Sequence, residues 1–301
     1  LELSLKAYQL APMSPIINRS LAYAMLNLRK VSKAQYYYQR ALELNPDYPD
    51  RAVGELDFYE LNSVRAKAFV HWLQTNQSKL AKQPNFLLTK AQIDLAVGDI
   101  EAAKAAINAS EKIAVNPSFL LFIKLVVATA QADHDYALEL LNEREKLHQS
   151  SGLFALTKVA ILSQMKSYQE AMDVLVQSYP DIVKADTQVT EQNVELFVHY
   201  QLLQGHLPNQ LGIGAEQLSQ LNLLLENTSN ASLIQAEWYL SQGSIEHAQQ
   251  VVLTMLNEGW LPDYNNELYP EARMKQIFIG TVLGELKYRT LLRKNREAVV
   301  N

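Results

Sequence analysis

The chain has 301 residues, of which 48% are hydrophobic and 20% charged, with a formal net charge of -5. That mild acidity supplies no bulk attraction to nucleic acid or anionic lipid, so neither is expected as a general partner. Cysteine is absent, which excludes disulfides and thiolate metal sites and fits either an oxidising compartment or a bacterial cytoplasm.

Leu1 to Leu10 reads as a helix, the second member of a pair whose first member is expected upstream, and the start at leucine points to a fragment or processed chain. From there apolar residues recur at spacings of three and four, the helical period, while strand-like alternation is scarce. Ala7-Tyr8-Gln9-Leu10-Ala11-Pro12-Met13-Ser14-Pro15 and Ala41-Leu42-Glu43-Leu44-Asn45-Pro46-Asp47-Tyr48-Pro49 share the pattern A-x-x-L-x-P-x-x-P at one repeat's offset. Alanines then recur with nearly that same period at Ala34, Ala68, Ala103, Ala137 and Ala171. Four residues after each stands a large apolar side chain: Tyr38, Trp72, Ile107, Leu141 and Leu175. Twelve residues before each lie Ala22, Leu56, Ala91, Leu125 and Val159, the matching points on a preceding helix.

Two helices of about 13 residues with short turns fill roughly 34 positions, which accounts for the period. The alanine sits where the helices cross, and the bulky residue one turn on fills the groove against the next pair. Beyond Ala171 the register slips, because Ala248 follows only after two periods plus a surplus of nine. The surplus fits the loop Gly205–Gly214, between helices expected near Glu191–Gln204 and Ala215–Glu226.

This pattern resembles the tetratricopeptide repeat family. Pro15 to Tyr48 carries the fullest match, with Leu21, Ala22, Ala34, Tyr38, Ala41 and Pro46, and Ala231 to Glu258 returns to it with Tyr239, Gly243 and Ala248. The resemblance implies an all-α fold, an α-solenoid in which antiparallel helix pairs wind into a right-handed superhelix. Residues 1–14 would be the second helix of a truncated repeat and 15–180 five repeats. Residues 181–228 would be a degenerate repeat with an inserted loop, 229–262 a further repeat, and 263–301 capping helices.

Phe119 to Ala130 is the most apolar stretch, but it is too short for a membrane span and contains Lys124. It reads as a helix buried on every face. No P-loop, G-x-S-x-G elbow, H-E-x-x-H pair or dinucleotide fingerprint occurs, and Gly212-Ile213-Gly214 lacks the third glycine of a phosphate cradle. The histidines His71, His134, His148, His199, His206 and His247 never pair at the i, i+4 spacing of two ligands on one helix face. Asp133-His134-Asp135 reads as a helix-capping turn. Catalytic residues, cofactors and metal ions are therefore not expected.

The resemblance implies that the first helix of each pair lines a concave surface. Relatives that grip a peptide C-terminus place lysine, arginine or asparagine there; this chain offers Arg19 and Tyr23, then Val53 and Asp57, Leu88 and Gln92, Phe122 and Val126, Leu156 and Ala160. Only Arg19 suits a carboxylate, so that activity does not carry over. The groove reads as apolar, and the expected partner surface is Arg19, Tyr23, Phe119, Phe122, Val126, Leu153 and Leu156. Its cover is either the chain itself, through curvature or its C-terminal segment, or an amphipathic helix from a protein partner or second copy.

The run Leu286 to Arg296 holds five basic residues and reads first as the wet face of a capping helix. Gly284-Glu285-Leu286-Lys287-Tyr288-Arg289-Thr290-Leu291-Leu292-Arg293-Lys294 also resembles the tail of tetratricopeptide regions behind winged-helix DNA-binding domains in bacterial transcriptional regulators. The expected function is a non-catalytic scaffold for a protein or peptide, with no direct nucleic-acid contact. The alternatives are the sensory or protein-contact region of such a regulator and, third, an enzyme with an unrecognised site. A soluble cytoplasmic or periplasmic segment fits each.

Overall fold

The computed structural model describes residues 2–27, 30–46, 54, 56, 58–59, 61–80, 86–113, 117–148, 154–207, 212–226, 232–264 and 269–300. Among them the elements are α1 (Glu2–Leu10), α2 (Pro15–Asn27), α3 (Val31–Leu44), α4 (Ser63–Leu80), α5 (Phe86–Val97), α6 (Ile100–Ser110), α7 (Pro117–Ala130) and α8 (His134–His148). They continue as α9 (Ala155–Gln164), α10 (Tyr168–Ser178), a 3-10 turn (Pro180–Val183), α11 (Val194–Gln204), α12 (Ala215–Glu226), α13 (Leu233–Ser241), α14 (Ile245–Asn257), α15 (Pro270–Ile277) and α16 (Val282–Val300). No strand forms among the described residues beyond one antiparallel bridge, Asn62 to Trp260.

Short turns make hairpins of α2/α3, α5/α6, α7/α8, α9/α10 and α13/α14, each pair packed along its length. Successive hairpins stack through α6/α7, α8/α9 and α10/α11. The chain is thus an all-α solenoid. Ala34, Ala103, Ala137, Ala171 and Ala248 have no exposed surface, nor do the facing Ala22, Ala91, Leu125 and Val159. Small residues at these crossings let the helix backbones approach closely, and the larger side chains interdigitate around them.

The backbone repeats as well. Gly98 (φ 88°), Ala132 (φ 58°) and Lys166 (φ 61°), one repeat period apart, place the residue closing a hairpin turn in the left-handed region. Glycine is unstrained there, whereas a side-chain-bearing residue costs about 1–2 kcal/mol.

Ala68 corrects the expected ladder: it is exposed, and α4 buries Ala66, Phe69 and Leu73 instead. Trp72 is half-buried and stacks on Phe69 at 5.9 Å. The physical reason is a second neighbour. α4 packs against the last helix, α16, so its buried stripe turns toward that contact and leaves the alanine period.

That contact closes the superhelix. α16 lies against α4, α5 and α14, and one core joins Leu56, Phe69 and Ile93 to Trp260, Leu292 and Val299. The backbone seals the same seam: Leu261 N donates to Leu61 O (3.0 Å) and Ser63 N to Gly259 O (2.8 Å). The buried Asn295 Nδ2 donates to Leu256 O (2.8 Å), which also accepts from Gly259 N, and to Trp260 O (3.0 Å), just past the end of α14. Arg296 Nε donates to Ala96 O (3.1 Å), and its guanidinium meets Glu271 at 2.6 Å. Glycine at 98 leaves room for it, since a Cβ there would stand 3.3 Å from the guanidinium.

The irregular stretch after α10 is stitched by two glutamines of α12. Buried Gln217 donates to Lys184 O (2.9 Å) and Thr187 O (3.1 Å) and accepts from Gly214 N (2.9 Å). Gln220 Oε1 accepts from Val189 N (2.7 Å). Among the described residues, no helix is long and apolar enough to cross a membrane. Lys124, inside the apolar α7, reaches out to pair with Glu111.

Candidate functional site

The concave face has two halves. In the first, α5 and α7 present Ile93 and Phe119, and the segment Trp260–Tyr264 lies across them. Tyr264 joins the cluster of Leu88, Leu95, Ile123 and Val126, and its hydroxyl donates to Glu271 Oε1 at 2.8 Å. Burial, reinforced by the Glu271 carboxylate, raises the Tyr264 phenol pKa and holds it neutral. What remains is a void of about 120 Å³ between Leu56, Gln92, Phe119 and Asp263.

Three of the seven expected groove residues, Phe119, Phe122 and Val126, lie here. Val126 has no exposed surface. Phe119 and Phe122 are half-buried and stack on each other at 6.4 Å, and the Arg144 guanidinium lies over Phe122 at 4.8 Å. Leu156 is partly buried against the next core. Arg19 sits over Tyr23 at 5.6 Å, and Tyr23 packs on Phe58 at 4.7 Å in the first repeat, apart from the others. Leu153, Val53 and Asp57 lie outside the described residues.

In the second half the concave face holds an open cavity of about 530 Å³, walled by α9, α11, α13 and α15. A volume of that size suits a side-chain cluster or a small molecule. Its floor is a buried ion pair: Arg273 Nε donates to Glu237 Oε1 (2.6 Å) and Nη2 to Oε2 (2.5 Å). This bidentate geometry fixes α15 against α13 and puts a fixed dipole under the cavity. Tyr168 and His206 stack on one side with ring centres 4.0 Å apart and planes inclined by 6°. Tyr269 closes another side, its hydroxyl 3.0 Å from His134 Nδ1 and its phenol pKa raised by burial. Exposed Lys166 and Lys275 stand in the lining, and Ile279 continues it outward.

The lining also carries a hydroxyl. Ser163 Oγ, its hydroxyl nucleophile on α9, donates to Val159 O (2.7 Å). A serine–histidine contact does exist, Ser118 Oγ to His148 Nε2 at 2.5 Å, but it is exposed and part of neither cavity lining. Asp133 Oδ1 accepts from Tyr136 N (3.3 Å), the turn-capping role its position suggested. Among the described residues, no group of three or more metal-ligating side chains converges.

Sequence reading missed this cavity. Glu237, Arg273 and Lys275 come from the last repeat and the segment after it, where no repeat register assigned a concave face. Lys166 was hidden as a turn residue. The usable signal was Glu237, the one charged residue of α13.

No protein-family model matches the chain, and no curated protein does. Among solved structures, the crystal structure of the P58(IPK) TPR domain matches 98% of this chain and 83% of that one, at 14% identity and a TM-score of 0.27. The all-α solenoid is carried by the helix hairpins and their stacking.

Proposed function

We propose that the chain is an interaction scaffold that receives a protein partner in the cavity between α9, α11, α13 and α15. One observation carries this reading: the molecule covers Ile93 and Phe119 with its own Trp260–Tyr264 segment and leaves open the side that carries the Glu237–Arg273 pair, Lys166 and Lys275. Removing apolar surface from water is favourable, so the self-covered half is part of the core. The uncovered half has a bindable volume, a fixed ion pair and cationic and aromatic edges that a second chain can engage. The binding surface therefore lies toward the C-terminal repeats, away from Phe119, Phe122 and Val126.

The test is site-specific photo-crosslinking in the source cell. A photoreactive residue replacing Ser163 or Gln276, both in the cavity lining, is expected to trap a discrete protein partner. The same residue at Glu139, exposed on α8 outside that lining, is not. Equal trapping at all three positions, or none at the first two, overturns the reading.

A further inference from the structure

The cavity does not end at its lining. Ile279, part of its wall, is followed by Val282, Leu283 and Leu286 at the start of α16, and these four side chains are 71%, 82%, 84% and 65% exposed. Val282, Leu283 and Leu286 share one exposed face of α16, where residues three and four apart are neighbours, and Ile279 stands in the turn just before that helix. So large an uncovered stripe, rimmed by polar residues, is the mark of an interaction site. The rim here is basic: Lys275 on α15, then Lys287 and Lys294 on α16, all exposed, while the acidic Glu285 is paired with Arg289.

We infer that this stripe and the cavity together form a docking site for an acidic amphipathic helix of the partner protein. The inference rests on the proposed function and names the chemistry of its partner. The apolar face of such a helix lies on Ile279, Val282, Leu283 and Leu286, and its carboxylates meet Lys275, Lys287 and, across the cavity, Lys166. A second copy of this chain fits poorly, because two such faces would set like-charged lysines together. A bilayer reaches the stripe but not the cavity that Ile279 joins to it.

The probe is a labelled 18-residue designed helix with a leucine stripe at i, i+3, i+4 and i+7 and glutamate on its flanks, titrated against the whole chain by fluorescence anisotropy. The glutamate helix is expected to bind at least about tenfold more tightly than a lysine-flanked version and than a version with its leucines scrambled. Leu283→Ser with Leu286→Ser, exposed positions that leave the core untouched, should weaken it by about tenfold or more. Lys275→Glu with Lys287→Glu should invert the preference toward the lysine helix. Equal affinity for all three peptides, or no effect of the serine pair, overturns the inference. So does co-sedimentation with phosphatidylserine vesicles that the serine pair abolishes while no peptide binds, which would make the stripe a membrane contact. Failure here with retained crosslinking at Ser163 and Gln276 removes only the acidic helix; loss of both removes the scaffold reading as well.

Discussion

The two halves of the concave face are built from the same helix hairpins and end differently. Around α5 and α7 the inward positions are apolar, and the chain's own Trp260–Tyr264 segment and α16 have folded over them. Around α9, α11, α13 and α15 the inward positions include Glu237, Arg273, Lys166 and His199, and a cavity remains. Lining chemistry explains the difference. Apolar lining is stabilised by any apolar cover, about 25 cal/mol for each Å² removed from water, and the chain's own C-terminal segment is always at hand. The same cover would desolvate the exposed ammonium groups of Lys166 and Lys275 without compensation.

The sharpest way to break this comparison is the ion pair. Glu237→Ala leaves the Arg273 guanidinium buried without its bidentate partner and should cost about 3–5 kcal/mol in urea unfolding. The double variant Glu237→Leu, Arg273→Met should cost far less, since well-packed apolar groups often replace such a pair at little loss. A single variant as stable as wild type would mean that the cavity floor is already hydrated.

High pH probes both halves together. Tyr264 plugs the closed half and Tyr269 walls the open one, and burial raises both phenol pKa values above the ordinary value near 10. The folded chain therefore keeps two protons that the unfolded chain releases above pH 10. Stability is fully present below that point and falls as pH rises beyond it, by about 1.4 kcal/mol per pH unit for each tyrosine. Urea midpoints measured from pH 8 to 11 should show the fall, and Tyr264→Phe with Tyr269→Phe should reduce it, leaving the share of Tyr37 and Tyr200, whose phenol pKa values burial also raises.

The seam comes next. Asn295→Ala strips donors from the Leu256 and Trp260 carbonyls in a buried site and should cost about 2 kcal/mol. The loss should appear in hydrogen exchange first at α4 and α16, whose contact it supports. Uniform loss across all helices would deny the seam a separate identity.

The smallest effect separates scaffold from site. Lys166→Gly and Ala132→Gly both relieve a left-handed backbone and should stabilise the fold by about 1 kcal/mol or less, because glycine's greater unfolded-state freedom offsets part of the relief. Only Lys166→Gly should also weaken partner binding, since only that side chain reaches the cavity. Equal binding by the two variants would remove Lys166 from the site.

Much of the fold was legible because the constraint repeats. Ala34, Ala103, Ala137 and Ala171 each face the same neighbour at the same distance along the chain, so a local physical need became a sequence period. Ala68 failed because α4 answers to α16, at the far end of the sequence, and no local spacing encodes that contact. The groove residues Phe119, Phe122 and Val126 were recognisable as apolar and in need of cover, but their cover is a tertiary event. The open cavity is legible only in three dimensions: Lys166, His199, Glu237 and Arg273 come from four hairpins or linkers with no common spacing.

Because the chain has no cysteine, single cysteines can report accessibility half by half. Maleimide labelling of folded Ile93→Cys and Ser163→Cys variants compares the covered and the open halves directly, with urea-unfolded protein as the reference for intrinsic reactivity. Cysteine at 163 should label nearly as fast folded as unfolded, while cysteine at 93 should label at least about a hundredfold more slowly and speed up when Arg296→Ala loosens the seam. Comparable protection at the two positions, or equally fast labelling of both, would contradict a concave face that is closed by its own chain at one end and open to a partner at the other.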